Sequence, residues 1–522
     1  MAPVDETHPM GTRLGETNIA KPRSDFGLSP RLVAWLFAII LVSECAILFL
    51  QAGARPFWYD ELFTFHVSGL QPLSQVLTAL DAGVDTMTPA YHVLVRIARQ
   101  FPGHPQLTLR LPSILGYLLS LTGVYLFVRK KLPPIVALTG VLLMSLTPFR
   151  EYAIEARSYS LLVGFLAMAA AFWQRIDEKP VMALWFAISL GAAVASHHLA
   201  VVAIGPFIVA ELTWSALRRS IRWKVWGGCL LGVCAFLADL PLLLHFRNTF
   251  ETHFWAAPTL HTIIPAYTMY SGLDNTLIFG GIALLLIVLG RTLLRNRRNG
   301  VAEQGGENLS TPEIILIAVF LFYPVVLIVL TYILHAGFTN RYAWPGILGL
   351  VLAATLTVRE IRIKGAWLAG TAALLIAFAY QSKHEYQEFR SGAKEDKDRW
   401  SVLAEVGRGE PDLPIVIASG MNYLEATEYA PRELRGRLIA VADRDTAVRM
   451  AGTDSVDNGL LLLGRFIPLR LEKLSQFQAD HSRFILQAGG SYDWLTAWLM
   501  ENKYNLKLAG NRPGASVYLV DR

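Results

Sequence analysis

Cysteine is nearly absent. The 522 residues hold three, Cys45, Cys229 and Cys234, each inside an apolar run. No disulfide framework and no cysteine metal centre can be assembled from that set, so the three read as small buried hydrophobes. Charge is scarce as well: 17% of residues are charged against 53% hydrophobic, and mean hydropathy is +0.39. That balance excludes an ordinary soluble enzyme. A glycine-rich phosphate-binding fingerprint is missing, and Gly489-Gly490-Ser491 reads as a turn. No internal repeat of the kind built into many transporters is visible. Nothing near the N-terminus has the pattern of a cleavable signal.

What the chain has instead is a succession of apolar runs close to the length a bilayer requires. About eleven spans are expected, near 31–50, 108–128, 132–149, 158–174, 180–196, 198–215, 223–245, 276–294, 312–335, 341–358 and 365–380. The fold class is therefore an α-helical polytopic membrane protein. Residues 1–30, rich in Pro, Gly, Thr and charge, read as a disordered cytoplasmic tail. Arg129-Lys130-Lys131, Arg218-Arg219 with Arg222 and Lys224, and Arg295 with Arg297 and Arg298 all fall on one side when the N-terminus is cytoplasmic. This positive-inside bias sets the orientation and accounts for the net charge of +6 without a nucleic-acid surface. The expected setting is a bacterial inner membrane, with no nucleic-acid partner.

Three segments then face outward. The first, 51–107, contains Trp58-Tyr59-Asp60-Glu61 and two amphipathic stretches, Leu73 to Leu80 and Tyr91 to Phe101, spaced as interfacial helices. The second, 246–275, carries His253, Trp255, His261, Tyr267 and Tyr270. The third, 381–522, turns polar at Gln381-Ser382-Lys383 and then reads as a small C-terminal α/β extracytoplasmic domain, compact enough to fold alone. Strands are expected near 414–419, 437–441, 483–487, 505–508 and 516–520, with helices near 424–429 and 494–501. Within the apolar runs Glu44, Glu211 and Asp239 stand out, because an acid in a membrane is a functional candidate by position. His197-His198 sits at an outer turn without further metal ligands nearby, and no metal site is assigned.

The pair Asp60-Glu61, just past the first span among aromatic rings, carries the most chemistry. Trp58-Tyr59-Asp60-Glu61 resembles the first outer loop of the GT-C glycosyltransferases, in particular the protein O-mannosyltransferase and aminoarabinose transferase group. Asp85-Thr86-Met87-Thr88-Pro89-Ala90-Tyr91-His92, then Leu109-Arg110-Leu111-Pro112-Ser113, is similar to the group's "D-x-H-P-P-L-Y … L-R-L-P-S" run. Met87 and Thr88 depart from it, standing where many members have His and Pro. Glu155-Ala156-Arg157-Ser158-Tyr159 and Asn340-Arg341-Tyr342 resemble two later elements. The resemblance covers roughly residues 30–360. It implies a GT-C-like transmembrane core over 31–380, with 51–107 as the catalytic loop.

The resemblance also implies a reaction. A sugar moves from a polyprenyl-phosphate donor to a lipid, glycan or protein acceptor on the outer face, with inversion. Asp60 is the expected general base, with Glu61 touching the acceptor or positioning the base. Arg157, Arg341 and Tyr342 are the expected phosphate ligands. Tyr59, Asp85, Tyr91, His92, Glu155 and Tyr159 are the expected sugar or acceptor pocket. No cofactor is assigned, and a divalent cation is left open because members of the group differ. A transporter or lipid-carrier flippase is the competing class; it would place its key residues near mid-membrane, whereas these motifs cluster on one face.

Overall fold

The computed structural model describes residues 29–250, 255–256, 259–271, 275–299, 309–360, 366–512 and 515–522. Nearly all of the 1–30 tail and His253 lie outside the described residues.

Every one of the eleven apolar runs is helical. In chain order the helices are Pro30–Ala54, Pro105–Arg129, Pro134–Ser145, Tyr159–Trp173, Met182–Ser196, Gly205–Arg218 preceded by the 3₁₀ turn His198–Ile204, Trp223–Phe250, Asn275–Asn299, Thr311–Ile333, Gly346–Glu360 and Ala366–Asp398. Pro30, Pro105 and Pro134 each open their helix, where a missing N–H leaves nothing unsatisfied. Among the described residues five helices are long and apolar enough to cross a membrane unaided. The pair Pro148–Ile154 and Tyr159–Trp173, bent by 115°, would make a sixth. Other apolar helices, such as Pro134–Ser145 and Met182–Ser196, are shorter, so by length alone full crossings are fewer than eleven. The outer surface is greasy: Trp35 is 69% exposed, Val42 69%, Trp223 73% and Ile376 70%. Water would not tolerate such a belt, and lipid would. This is an integral membrane protein.

Inside the bundle, small residues let backbones approach. A Cβ on Gly164 would lie 2.1 Å from the carbonyl oxygen of Gly116, which seats Tyr159–Trp173 directly against Pro105–Arg129. The expected membrane acids are all partnered. Glu44 accepts from Arg150 Nε at 2.7 Å, Glu211 accepts from Arg222 Nη2 at 2.5 Å, and Asp239 lies 3.9 Å from His198.

At one end of the bundle the first loop forms three helices, Tyr59–Gly69, Leu73–Asp81 and Pro89–Ala98. The expected amphipathic pair buries Val76, Leu80, Tyr91 and Val95 and exposes Leu73, Leu77, Ile97 and Phe101. The departure at Thr88 has a local reason. Thr88 Oγ1 caps the third helix by accepting from Tyr91 N at 3.2 Å, and Pro89 fills its first turn.

The chain then returns to this end for good. Gln381, where composition turns polar, falls inside the single helix Ala366–Asp398. The change marks where that helix leaves the apolar layer, not where a new unit starts. Beyond it six strands form one sheet: β1 (Ile415–Ile417), β2 (Leu438–Val441), β3 (Leu471–Glu472), β4 (Arg483–Ala488), β5 (Asn505–Arg512) and β6 (Ala515–Asp521). Their order is β3-β2-β1-β4-β6-β5, parallel from β3 to β4 and antiparallel at β6 and β5. The expected helices appear as Gly420–Tyr429 and Trp494–Glu501. Five strands match expected ones; the two-residue β3 was not anticipated.

One hydrophobic cluster joins the sheet to the first loop. Phe57, Leu62, Val67 and Val84 pack in the same core as Ile415, Leu424, Leu460 and Val517. Phe57 N donates to Tyr429 Oη at 2.7 Å across that seam. A shared core does not suit a domain that folds by itself, because removing the loop would strip one side of it.

Candidate functional site

The helix Tyr59–Gly69 starts with its own acids. Trp58 N donates to Glu61 Oε2 at 3.3 Å, and both Asp60 and Glu61 lie in the first turn, where the helix dipole favours negative charge. Successive helical positions point about 100° apart, so the two carboxylates part company. Glu61 turns inward and is fully buried. It accepts from Arg110 Nε at 2.7 Å, Arg110 Nη2 at 2.6 Å and Ala156 N at 2.5 Å. It is not among the residues lining the Asp60 cavity, so as placed it is suited to positioning rather than to touching an acceptor.

Asp60 turns the other way, into a cavity of about 220 Å³. Its Oδ2 accepts from Arg341 Nη1 at 2.6 Å, and Arg341 lies over the Trp58 ring at 5.2 Å. Arg157 comes from the break between Pro148–Ile154 and Tyr159–Trp173, where Glu155 and Arg157 are not helical. Arg157 donates from Nη1 to Asp60 O at 3.2 Å, Thr64 Oγ1 at 3.2 Å and Asp85 Oδ1 at 3.1 Å. Residues 97 and 281 positions from Asp60 thus meet at its carbonyl and carboxylate.

Of the residues expected in the site, Tyr59, Asp60, Asp85, Arg157, Tyr159, Arg341 and Tyr342 line this cavity together. Tyr91, His92 and Glu155 do not; they lie behind the wall. Tyr91 and His92 are buried, and His92 Nε2 stands 3.2 Å from Asp85 Oδ2. Burial pushes the Asp85 carboxyl up, but Arg157 and His92 outweigh it and hold the group well below the usual carboxylate range. Glu155 has the opposite balance. Burial, then the nearby Glu61, pushes it up to about 8.

Three lining residues carry buried polar atoms with no hydrogen-bond partner among the described residues: Trp58 Nε1, Arg157 Nε and Thr339 Oγ1. All three atoms belong to residues of this one cavity. The cavity is continuous in its lining with an apolar recess of about 370 Å³; Asp85, Thr86 and Tyr342 belong to both, and Leu199, Val202, Phe236 and Leu330 line the recess further on.

The opposite wall was missed from sequence. Met421, Ser455, Val456, Gly459 and Tyr492 come from the C-terminal sheet region. Met421 follows β1 and Tyr492 follows β4, the neighbouring parallel strands between which the strand order reverses. Ligands of open α/β sheets gather at such a point, beyond the carboxyl ends of the strands, and only the strand order, not local sequence, could have shown it. Tyr59 Oη donates to Val456 O at 3.4 Å, closing the two walls together. Trp255 and Thr339 complete the rim.

A divalent cation fits poorly. No three His, Cys, Asp or Glu side chains converge among the described residues. The two acids on the cavity, Asp60 and Asp85, are already paired with arginines.

Comparison with known proteins follows the same lines. The family model described as dolichyl-phosphate-mannose-protein mannosyltransferase matches residues 87–245. A search of curated protein sequences finds no match. Among solved structures, ArnT from Cupriavidus metallidurans in the apo state aligns over 94% of this chain and 98% of its own, with 11% identity and a TM-score of 0.57. ArnT bound to undecaprenyl phosphate aligns over 93% and 98%, with 11% identity and a TM-score of 0.55. The archaeal oligosaccharyltransferase AglB from Archaeoglobus fulgidus covers 93% of this chain at 12% identity, with 74% of its own length and a TM-score of 0.47. The family segment contributes Arg157 and Tyr159 to the site, the fold is shared with ArnT along almost the whole length, and the chain is a polytopic membrane protein with a GT-C-like fold.

Proposed function

We propose that this protein transfers a sugar from a polyprenyl-phosphate donor to an acceptor on the outer face of the membrane, as an inverting glycosyltransferase with Asp60 as general base. The observation that carries the reading is the cavity itself. The carboxylates of Asp60 and Asp85 and the guanidinium groups of Arg157 and Arg341 line a polar pocket that shares Asp85, Thr86 and Tyr342 with an apolar recess. A polyprenyl phosphate has that form: a charged head and a greasy tail. Undecaprenyl phosphate is bound in one of the similar ArnT structures.

The chain's own groups divide the work. The apolar recess takes the prenyl chain, and the phosphate meets Arg157 and Arg341 with Tyr342 beside them. The acceptor enters between Asp60 and the wall formed by Met421, Ser455 and Tyr492. Its nucleophilic oxygen attacks the anomeric carbon as the bond from that carbon to the phosphate oxygen breaks. The acceptor proton passes to Asp60, and the electron pair leaves with the polyprenyl phosphate, whose charge the arginines stabilise. A phosphate that draws Arg341 toward itself also releases Asp60 Oδ2, so donor binding arms the base. In this reading the N-terminus is cytoplasmic and the cavity faces outward.

The test is incubation of the purified full chain with a panel of polyprenyl-phosphate sugars, following release of polyprenyl phosphate. Asp60→Asn should lower transfer by about 10²–10⁴-fold while leaving donor binding and unfolding temperature in place. Arg341→Ala should lower donor affinity as well as rate. Near-normal transfer by folded Asp60→Asn would remove Asp60 as the base.

A further inference from the structure

The largest cavity among the described pockets is not the one at Asp60. A recess of about 610 Å³ opens at the far end of the bundle. Tyr159 of the Asp60 cavity and Trp173 of this recess terminate the same helix, so the two sites lie roughly 20 Å apart along its axis. The recess is thus at the opposite membrane boundary.

Its lining is cationic. Lys131, Arg218, Arg222 and Arg297 face Asp177 and Glu313 across it. The acids are already engaged. Glu313 accepts from Gln174 Nε2 and from Ser310 N, both at 2.5 Å, and Asp177 accepts from Arg222 at 3.3 Å. Arg222 is further held by Glu211, at 3.0 and 2.5 Å, and lies 4.2 Å from the Trp214 ring centre and 5.3 Å from that of Trp173. That cation is a fixed part of the wall. Lys131, Arg218 and Arg297 make no ion pair among the described residues, so three cations stand around the space without a close carboxylate among those residues. Gln174 Oε1 is buried there without a partner.

Beside the cations the wall becomes apolar and faces the bilayer. Leu217 is 47% exposed and Leu294 59%. A free anion would use the charges and ignore the leucines; an amphiphile uses both. Basic pockets between membrane helices favour anionic head groups, at about 1 kcal/mol for each cation near the surface. We propose that this recess binds the phosphate head group of an anionic membrane lipid, with its acyl chains along Leu217 and Leu294. Gln174 Oε1 is placed to accept from a head-group hydroxyl. The site is independent of the transfer reaction and lies in the other leaflet.

Titration of the full-length detergent-solubilised protein with phosphatidylglycerol, read by native mass spectrometry, tests this. One phosphatidylglycerol should bind per chain, and phosphatidylcholine at least tenfold more weakly. Arg218→Ala with Arg297→Ala should weaken phosphatidylglycerol roughly thirty-fold, the equivalent of two cations. The Arg218→Lys with Arg297→Lys protein should retain most binding and shows that the loss follows charge rather than misfolding. Unchanged phosphatidylglycerol affinity in the double alanine protein would overturn the proposal. So would displacement of the lipid by low-millimolar inorganic phosphate, which would identify a soluble-anion site instead.

Discussion

Glu61 and Arg110 invite a quantitative prediction because both side chains are wholly excluded from solvent, 0% exposed on each side. Glu61 accepts two bonds from the guanidinium, at 2.7 and 2.6 Å, and one each from Ala156 N and Trp58 N. Arg110 additionally donates to the carbonyls of Ala52, Arg55 and Pro56, at 2.7, 2.7 and 2.9 Å. Breaking a buried pair from one side costs about 3–5 kcal/mol. With Glu61→Ala the stranded Arg110 keeps its three carbonyls, which places the loss toward the lower end. Two backbone N–H groups lose an acceptor at about 1 kcal/mol each, which brings the total to about 4–5 kcal/mol. With Arg110→Ala the stranded charge is Glu61, which retains only the two backbone donors, and three carbonyls lose their donor too. Arg110→Ala should therefore be the more damaging. Thermal unfolding of matched detergent preparations, followed by tryptophan fluorescence, gives the order: parent, then Glu61→Ala, then Arg110→Ala. Transfer should fall in proportion to the folded fraction. A Glu61→Ala protein that unfolds with the parent and yet loses transfer would refute the reasoning, for it would make Glu61 a chemical participant rather than a clamp.

Other outcomes can be checked on the same preparations. Gly459→Leu should cut transfer at least tenfold with little change in unfolding temperature, because a Cβ there already meets Tyr59 Oη at 3.3 Å and Phe63 Cζ at 3.4 Å, and a longer side chain enters the cavity. Gly164→Ala should destabilise the bundle by about 1–3 kcal/mol, since its Cβ would sit 2.1 Å from Gly116 O. Asp457 sets a pH dependence. Burial lifts its carboxyl from 3.8 to about 7, against donors from Asp443 N and Trp494 Nε1. Between those two values the folded state holds a proton that the unfolded chain has released. Stability of the C-terminal sheet region should then fall as pH rises from about 4 to about 7, by up to about 1.4 kcal/mol per pH unit, and Asp457→Asn should flatten the profile.

The membrane part was legible because hydrophobic runs of span length admit few readings, and all eleven are helices. Asp60, Arg157 and Arg341 were legible as motifs in order along one face, although nothing local says that they touch. The buried place of Glu61 was not legible, because adjacency in sequence suggests shared duty, whereas a helix separates neighbours by about 100°. Its partner Arg110 stood in plain view within Leu109-Arg110-Leu111, but a buried cation leaves no periodic mark. Met421, Ser455, Gly459 and Tyr492 could not have been named in advance. Their meeting depends on which parallel strands are neighbours, and that is settled by packing between segments far apart in the chain. Gln381 shows a further limit: a change of composition records a change of solvent, and one helix can run through it.

The wall facing Asp60 is made after the residues that it faces. Tyr59 and Val456 are 397 residues apart, so Asp60, Arg157 and Arg341 are synthesised, and their helices inserted, before the residues opposite them exist. Until the sheet folds against the first loop, Asp60 stands at an open ledge instead of in a cavity. If the proposed reaction holds, translation order acts as a safeguard: donor lipid could be held early, but an acceptor would have nothing to hold it until residues 421–492 are in place. A chain stopped at Asp412 should reach the membrane and be silent in the transfer assay, with Asp60 and both arginines intact.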